Sequence, residues 1–152
     1  MFKLDDKLTF KGTFEMNVFK KGKLIENYKN HNLIVDIGLN QISKLLAGDV
    51  VGRSITKIAF GTDGTLPVPN DTFITDVFSK DLVNFEFPDL SKIQFNWELL
   101  DSENNGMAIR EFGLLTQDGL LFARIIRESA INKEDDISIF GKWTIEFARE
   151  EA

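Results

Sequence analysis

The chain has 152 residues, enough for one domain with a proper core. A net charge of −6 offers no basic face for a nucleic-acid backbone, and the absence of cysteine excludes disulfide staples, thiolate chemistry and cysteine-ligated metal sites. No apolar run approaches the roughly 18 residues needed to span a bilayer, and the N-terminus MFKLDDKLTF has no apolar stretch of secretory type, so neither membrane nor export is expected.

Strict alternation opens the chain. Phe10, Gly12, Phe14, Met16 and Val18 share one parity, with Lys11, Thr13, Glu15 and Asn17 between them, which predicts a half-buried strand. Lys20-Lys21-Gly22-Lys23 reads as a hairpin turn and Leu24 to Val35 as the returning strand. One short α-helix follows, over about residues 36–47. Asp36 is its candidate cap, Leu39, Ile42, Leu45 and Leu46 form its apolar stripe, and Gly48 its C′ glycine.

The pattern then returns to β. Ile55 to Phe60, Phe73 to Val77, Leu82 to Phe87, Ile93 to Leu99, Met107 to Leu115, Leu120 to Ile126 and Ile137 to Phe147 read as strands. Gln117-Asp118-Gly119 joins two of them as a tight hairpin with positive φ at Gly119. The expectation is mainly β: an antiparallel β-sandwich or flattened barrel of about eight or nine strands with one short helix, forming a single domain over residues 1–152.

The segment Phe60 to Thr72, FGTDGTLPVPNDT, invites a functional reading. A phosphate loop needs a lysine and a following helix, but no lysine is present and Pro67 and Pro69 forbid the helix. A calcium loop needs oxygen ligands at alternating positions, whereas Asp63 and Asp71 are its only carboxylates, eight residues apart. A rigid turn is expected.

His31 is the only histidine and lies between asparagines, which suits a surface residue. Ser54-Ile55-Thr56-Lys57 matches S-x-x-K by letters, but in a strand residues three apart face opposite sides. Glu134-Asp135-Asp136 reads as a solvated turn, and one member of Arg110-Glu111 is expected to point inward and be paired. Trp97 and Trp143 lie on apolar strand faces and are expected in the core, whereas Phe19, Leu121 and Phe140 fall off the main apolar face and are candidate interface residues. No catalytic, cofactor-binding or metal-binding residue is assigned.

Three segments, in this order, carry a resemblance. Asn32 to Leu39 (NLIVDIGL) leads into the helix, and Ile55 to Gly64 (ITKIAFGTDG) leads into the loop ending Pro69-Asn70-Asp71-Thr72. Asn105 to Leu115 (NGMAIREFGLL) is then followed by Asp118 to Ala123 (DGLLFA). Together they resemble the N-terminal domain of bacteriophage tail-collar fibre proteins. The resemblance implies a non-enzymatic virion structural protein of the tail, collar, baseplate or fibre-attachment region. Its partners would be further copies of itself, with a trimer favoured, and other virion proteins. In that family the glycines and proline-rich loop are scaffold features. The alternatives are capsid-surface decoration and a receptor- or glycan-binding β-sandwich module.

Overall fold

A computed structural model describes residues 6–150. Two five-stranded antiparallel sheets pack face to face as an open sandwich rather than a closed barrel. In chain order the strands are β1 (Leu8–Lys20), β2 (Lys23–His31), β3 (Leu33–Ile34), β4 (Ile55–Gly61), β5 (Phe78–Asp81), β6 (Asn84–Asp89), β7 (Lys92–Leu99), β8 (Ala108–Thr116), β9 (Leu121–Asn132) and β10 (Ile137–Arg149). The helix α1 spans Asp36–Leu46 between β3 and β4. Sheet A runs β2-β1-β10-β7-β6 and sheet B runs β3-β9-β8-β4-β5.

The alternating strands build sheet A, and their apolar parity faces sheet B. Phe14, Met16 and Val18 of β1 oppose Trp143, Gly141 and Ile139 of β10 across the antiparallel ladder. The inter-sheet core is largely aromatic. The Phe14 ring stacks on Trp97 at 5.5 Å and meets Trp143 edge-on at 5.1 Å, and Phe60 and Phe112 complete the group from sheet B. Such pairs add about 0.5–1.5 kcal/mol each beyond their area burial. Both tryptophans are core residues.

Lys21 and Gly22 both have positive φ, so the first hairpin closes with a two-residue primed turn that matches strand twist. The returning segment does not reach Val35 as one strand. It breaks at Asn32, whose side chain fills the space that a Cβ on Gly12 would occupy and whose Oδ1 accepts the Trp143 indole N–H at 3.0 Å. Beyond that anchor the chain crosses to sheet B, where Leu33 and Ile34 pair with β9. This crossing supplies the tenth strand.

Asp36 is the first helical residue and Val35 the cap: the extended Val35 accepts the first helical bond, from the Leu39 N–H at 3.0 Å, and the Asp36 N–H bonds the Pro69 carbonyl at 2.8 Å. Asp36 still favours the positive end of the helix dipole. Gly48 adopts φ 84° just past the helix end, as its position predicts. Residues 73–77 are not a strand. Their backbone groups are bonded outside a sheet ladder: Thr75 N–H donates to Glu111 Oε1 at 2.7 Å, and the Thr75 carbonyl accepts from Thr62 N–H at 3.2 Å. The strand forms one step later, as β5. Pro88 falls within β6, which is an edge strand where a missing N–H is tolerated.

Sheet B is buried on both faces. Beneath the long segment between β4 and β5, a second cluster joins Val35, Ala59, Ile74, Leu115 and Leu121. Ile37 of α1 borders that cluster, while Ile42 reaches the inter-sheet core. Burial along β8 is therefore nearly continuous rather than alternating.

Candidate functional site

The loop FGTDGTLPVPNDT is organised by one guanidinium. Arg124 stands on β9 across the ladder from Gly113 of β8, on the face of sheet B that the loop covers. Its Nε donates to Glu111 Oε2 at 2.7 Å, its Nη2 to the Asp63 carbonyl at 3.0 Å, and its Nη1 to both the Thr65 carbonyl at 2.9 Å and Asp71 Oδ2 at 3.2 Å. Asp63 Oδ2 lies 3.7 Å from Nη2. Two aspartates eight residues apart thus converge on a cation, and that cation is Arg124.

Glu111 completes the clamp. Its Oε1 accepts the backbone N–H of Asp63 and of Thr75, so one carboxylate holds both ends of the loop. Glu111 is 1% exposed and Arg124 3%, and a buried pair of this kind persists only when its hydrogen-bonding capacity is nearly filled. Gly61 is required beside it, because a Cβ there would collide with Glu111 Oε1, Ile74 and the Thr75 carbonyl. The Asp63 carboxyl is held below the usual aspartate range, chiefly by hydrogen bonds from the Thr65 hydroxyl and N–H, with Arg124 and Arg110 adding to them. The inward-pointing member of Arg110-Glu111 is Glu111, and its partner is Arg124. In the sequence, Arg124 is the one charge within Leu121 to Ile126, a signal that pairs it with the inward-facing member of Arg110-Glu111 across the hairpin.

The other singled-out residues lie apart from this clamp. His31 is exposed at the end of β2, with Nδ1 3.4 Å from the Gly12 carbonyl. Ser54 precedes β4 and Lys57 lies within it, with no helix start to bring them together. In the β9–β10 turn, Glu134 and Asp135 are exposed. Their neighbour Lys133 is the buried residue. Its Nζ donates to Asn105 Oδ1 at 2.8 Å and to the carbonyls of Glu134 at 3.0 Å and Asp101 at 3.1 Å. Burial pushes the Lys133 amine below the usual lysine range, against the pull of Asp101 and Glu103. Among the described residues, no group of three or more His, Cys, Asp or Glu could hold a metal ion.

Of the three candidate interface residues, Leu121 is fully buried under the loop, because sheet B is covered on its outer face as well. Phe140 is exposed and meets the half-buried Phe19 edge-on at 5.7 Å. A larger apolar surface escaped the strand parity. A groove of about 370 Å³ lies between the last turns of α1 and the inner face of sheet A, which extends beyond its cover there. Ile42, Leu45 and Leu46 form one wall, and Phe85, Phe87 and Phe147 line the other. A strand edge and a helix end meet only in three dimensions, so no periodicity announces this groove.

No protein-family description, no curated protein and no solved structure matches this chain. Among the described residues no helix is long and apolar enough to cross a membrane.

Proposed function

We propose that this chain is a virion structural protein of a bacteriophage, prophage or phage-tail-like particle, belonging to the tail, collar, baseplate or fibre-attachment region. It works by assembly with copies of itself, most simply as a trimer, and with neighbouring virion proteins, rather than by catalysis. The observation that carries this reading is that the resembling segments occupy one connected piece of the fold. Strand β4 and its loop, strand β8 and the hairpin into β9 are hydrogen-bonded neighbours in sheet B, and Glu111 and Arg124 tie the loop to them. The shared motif order therefore corresponds to a physical unit, a clamped loop on a two-sided sheet.

The groove and the exposed apolar loop residues add surface of the kind that assembling proteins use. A sugar-binding reading would want tryptophans on display, and both are in the core. The test is mass spectrometry and immunogold labelling of purified phage or phage-tail-like particles from the source organism. The chain is expected in the particle fraction at a defined location. Its absence from every particle while it is being expressed would overturn the proposal.

A further inference from the structure

Two apolar surfaces lie at opposite ends of α1. The groove lies at its C-terminal turns, where Leu46 is 85% and Phe87 69% exposed. The clamped loop lies at its N-terminus, tied there by the Asp36 N–H on the Pro69 carbonyl, and displays Leu66 at 73% and Phe73 at 70% exposure. Eleven helical residues at 1.5 Å each separate the two by about 16 Å. One surface is a hole and the other a projection.

From this we infer that the groove receives the loop of a second copy of this chain, with Phe73 and Leu66 entering between Leu46 and Phe87. This deepens the assembly reading and rests on it for the choice of a second copy as the occupant. Three observations favour that occupant. The first is area. At about 150–200 Å² per fully exposed large apolar residue, the groove rim (Leu46, Phe85, Phe87) and the loop (Leu66, Val68, Phe73, Val77) together expose about 800 Å². With the usual apolar share of an interface, that corresponds to about 1,400 Å² in total, within the standard size of a specific contact.

The second is charge. Of the three aspartates in residues 61–77, Asp63 and Asp71 are taken up by Arg124, which leaves Asp76. Arg53, the one charged side chain among the described residues lining the groove, holds Asp49 at 3.0 Å and Gln41 at 2.8 Å but keeps a buried Nε with no hydrogen-bond partner among the described residues. Asp76 is exposed near the loop's end, and its carboxylate accepts only the Thr62 hydroxyl among the described side chains. The third is preorganisation. Arg124 and Glu111 hold the loop in one shape before contact, which lowers the entropy lost on docking.

Pro88 and the irregular pairing between Glu86 and Asp89 blunt the β6 edge, so the partner enters the groove rather than adding a strand. Because the hole and the projection are different surfaces, the contact is heterologous and closes as a ring when the rotation allows.

The experiment uses the full chain in sedimentation and light scattering up to about 100 μM, a range that covers micromolar contacts. Wild type should associate beyond a monomer. Phe73→Glu and Phe87→Glu, at exposed positions where the melting temperature should barely move, should each weaken association at least tenfold. Mixed together, the two variants should form a one-to-one heterodimer, since one keeps the groove and the other the loop. Phe140→Glu should leave association unchanged.

A monomeric wild type would overturn the inference, whether or not its groove takes up a fluorescent fatty acid. So would association insensitive to both groove and loop variants, loss of association in Phe140→Glu, or failure of the two variants to complement. Particle composition is a separate readout. A chain that passes these tests but is absent from particles overturns the virion role and leaves this contact standing.

Discussion

Arg124 Nε donates to Glu111 Oε2 at 2.7 Å, and neither side chain reaches solvent to any extent. Removing either partner leaves the other charged and buried. Arg124→Met or Glu111→Gln should therefore destabilise by about 3–5 kcal/mol, read as a drop in the urea midpoint. The double substitution should fall well short of the sum, because the two residues share one network. Additive losses in that cycle would show that the pair is not coupled.

Gly119 has φ 85° in the turn between β8 and β9. Its N–H bonds the Thr116 carbonyl at 2.9 Å, and Thr116 N–H bonds the Leu120 carbonyl at 2.9 Å, so the loop is Gln117-Asp118-Gly119 with the glycine at the left-handed position. Gly119→Val should lower stability by about 1 kcal/mol or more, since a β-branched residue resists positive φ. An unchanged denaturation midpoint would contradict the requirement.

Asp63 and Asp71 serve Arg124. The melting temperature of wild-type protein should consequently not respond to added calcium or magnesium. Asp63→Ala with Asp71→Ala should lower the melting temperature by stripping partners from a buried guanidinium, again without any response to either metal. A calcium- or magnesium-dependent rise in wild type that the double variant loses would mean that the loop binds a cation after all.

Glu103 links stability to pH. Burial opposes its ionised form, but the Lys80 ammonium at 2.6 Å and the Leu100 N–H at 2.8 Å outweigh that, and its carboxyl sits below the usual glutamate range. A carboxylate with a depressed folded-state pKa contributes stability above its unfolded value of about 4.5 and loses that contribution as pH falls through the folded value. Glu103→Gln should thus remove about 1 kcal/mol at pH 7 and progressively less below pH 4.5. Equal destabilisation at pH 7 and at pH 3, measured by denaturant titration, would rule out this linkage.

Strands β1, β7 and β10 of sheet A were legible because their residues alternate between a buried and a more exposed face, and period-two alternation records that asymmetry directly. The helix and the Asp118-Gly119 turn were legible for a similar reason: their stripe and their glycine are local requirements. Sheet B was harder to read. Covered on both faces, it shows continuous apolar runs, and Leu121 reads as off-face although it is fully buried. Strand boundaries failed where a distant side chain intervened: the Glu111 carboxylate takes the Thr75 N–H, and the Trp143 indole N–H anchors the Asn32 side chain where the chain turns between sheets.

By itself the sequence determined a mainly β domain, sandwich or flattened barrel, with one short helix, together with the two core tryptophans, the hairpins and the presence of an inward charge at Arg110-Glu111. Each of these follows from local periodicity or turn chemistry. Only the tertiary structure decided that the inward charge pairs with Arg124, that Asp63 and Asp71 meet at that guanidinium, and that α1 and β6 leave an apolar groove between them. Those relationships join residues that are distant along the chain. They depend on which faces the two sheets cover, and local sequence pattern carries no record of that.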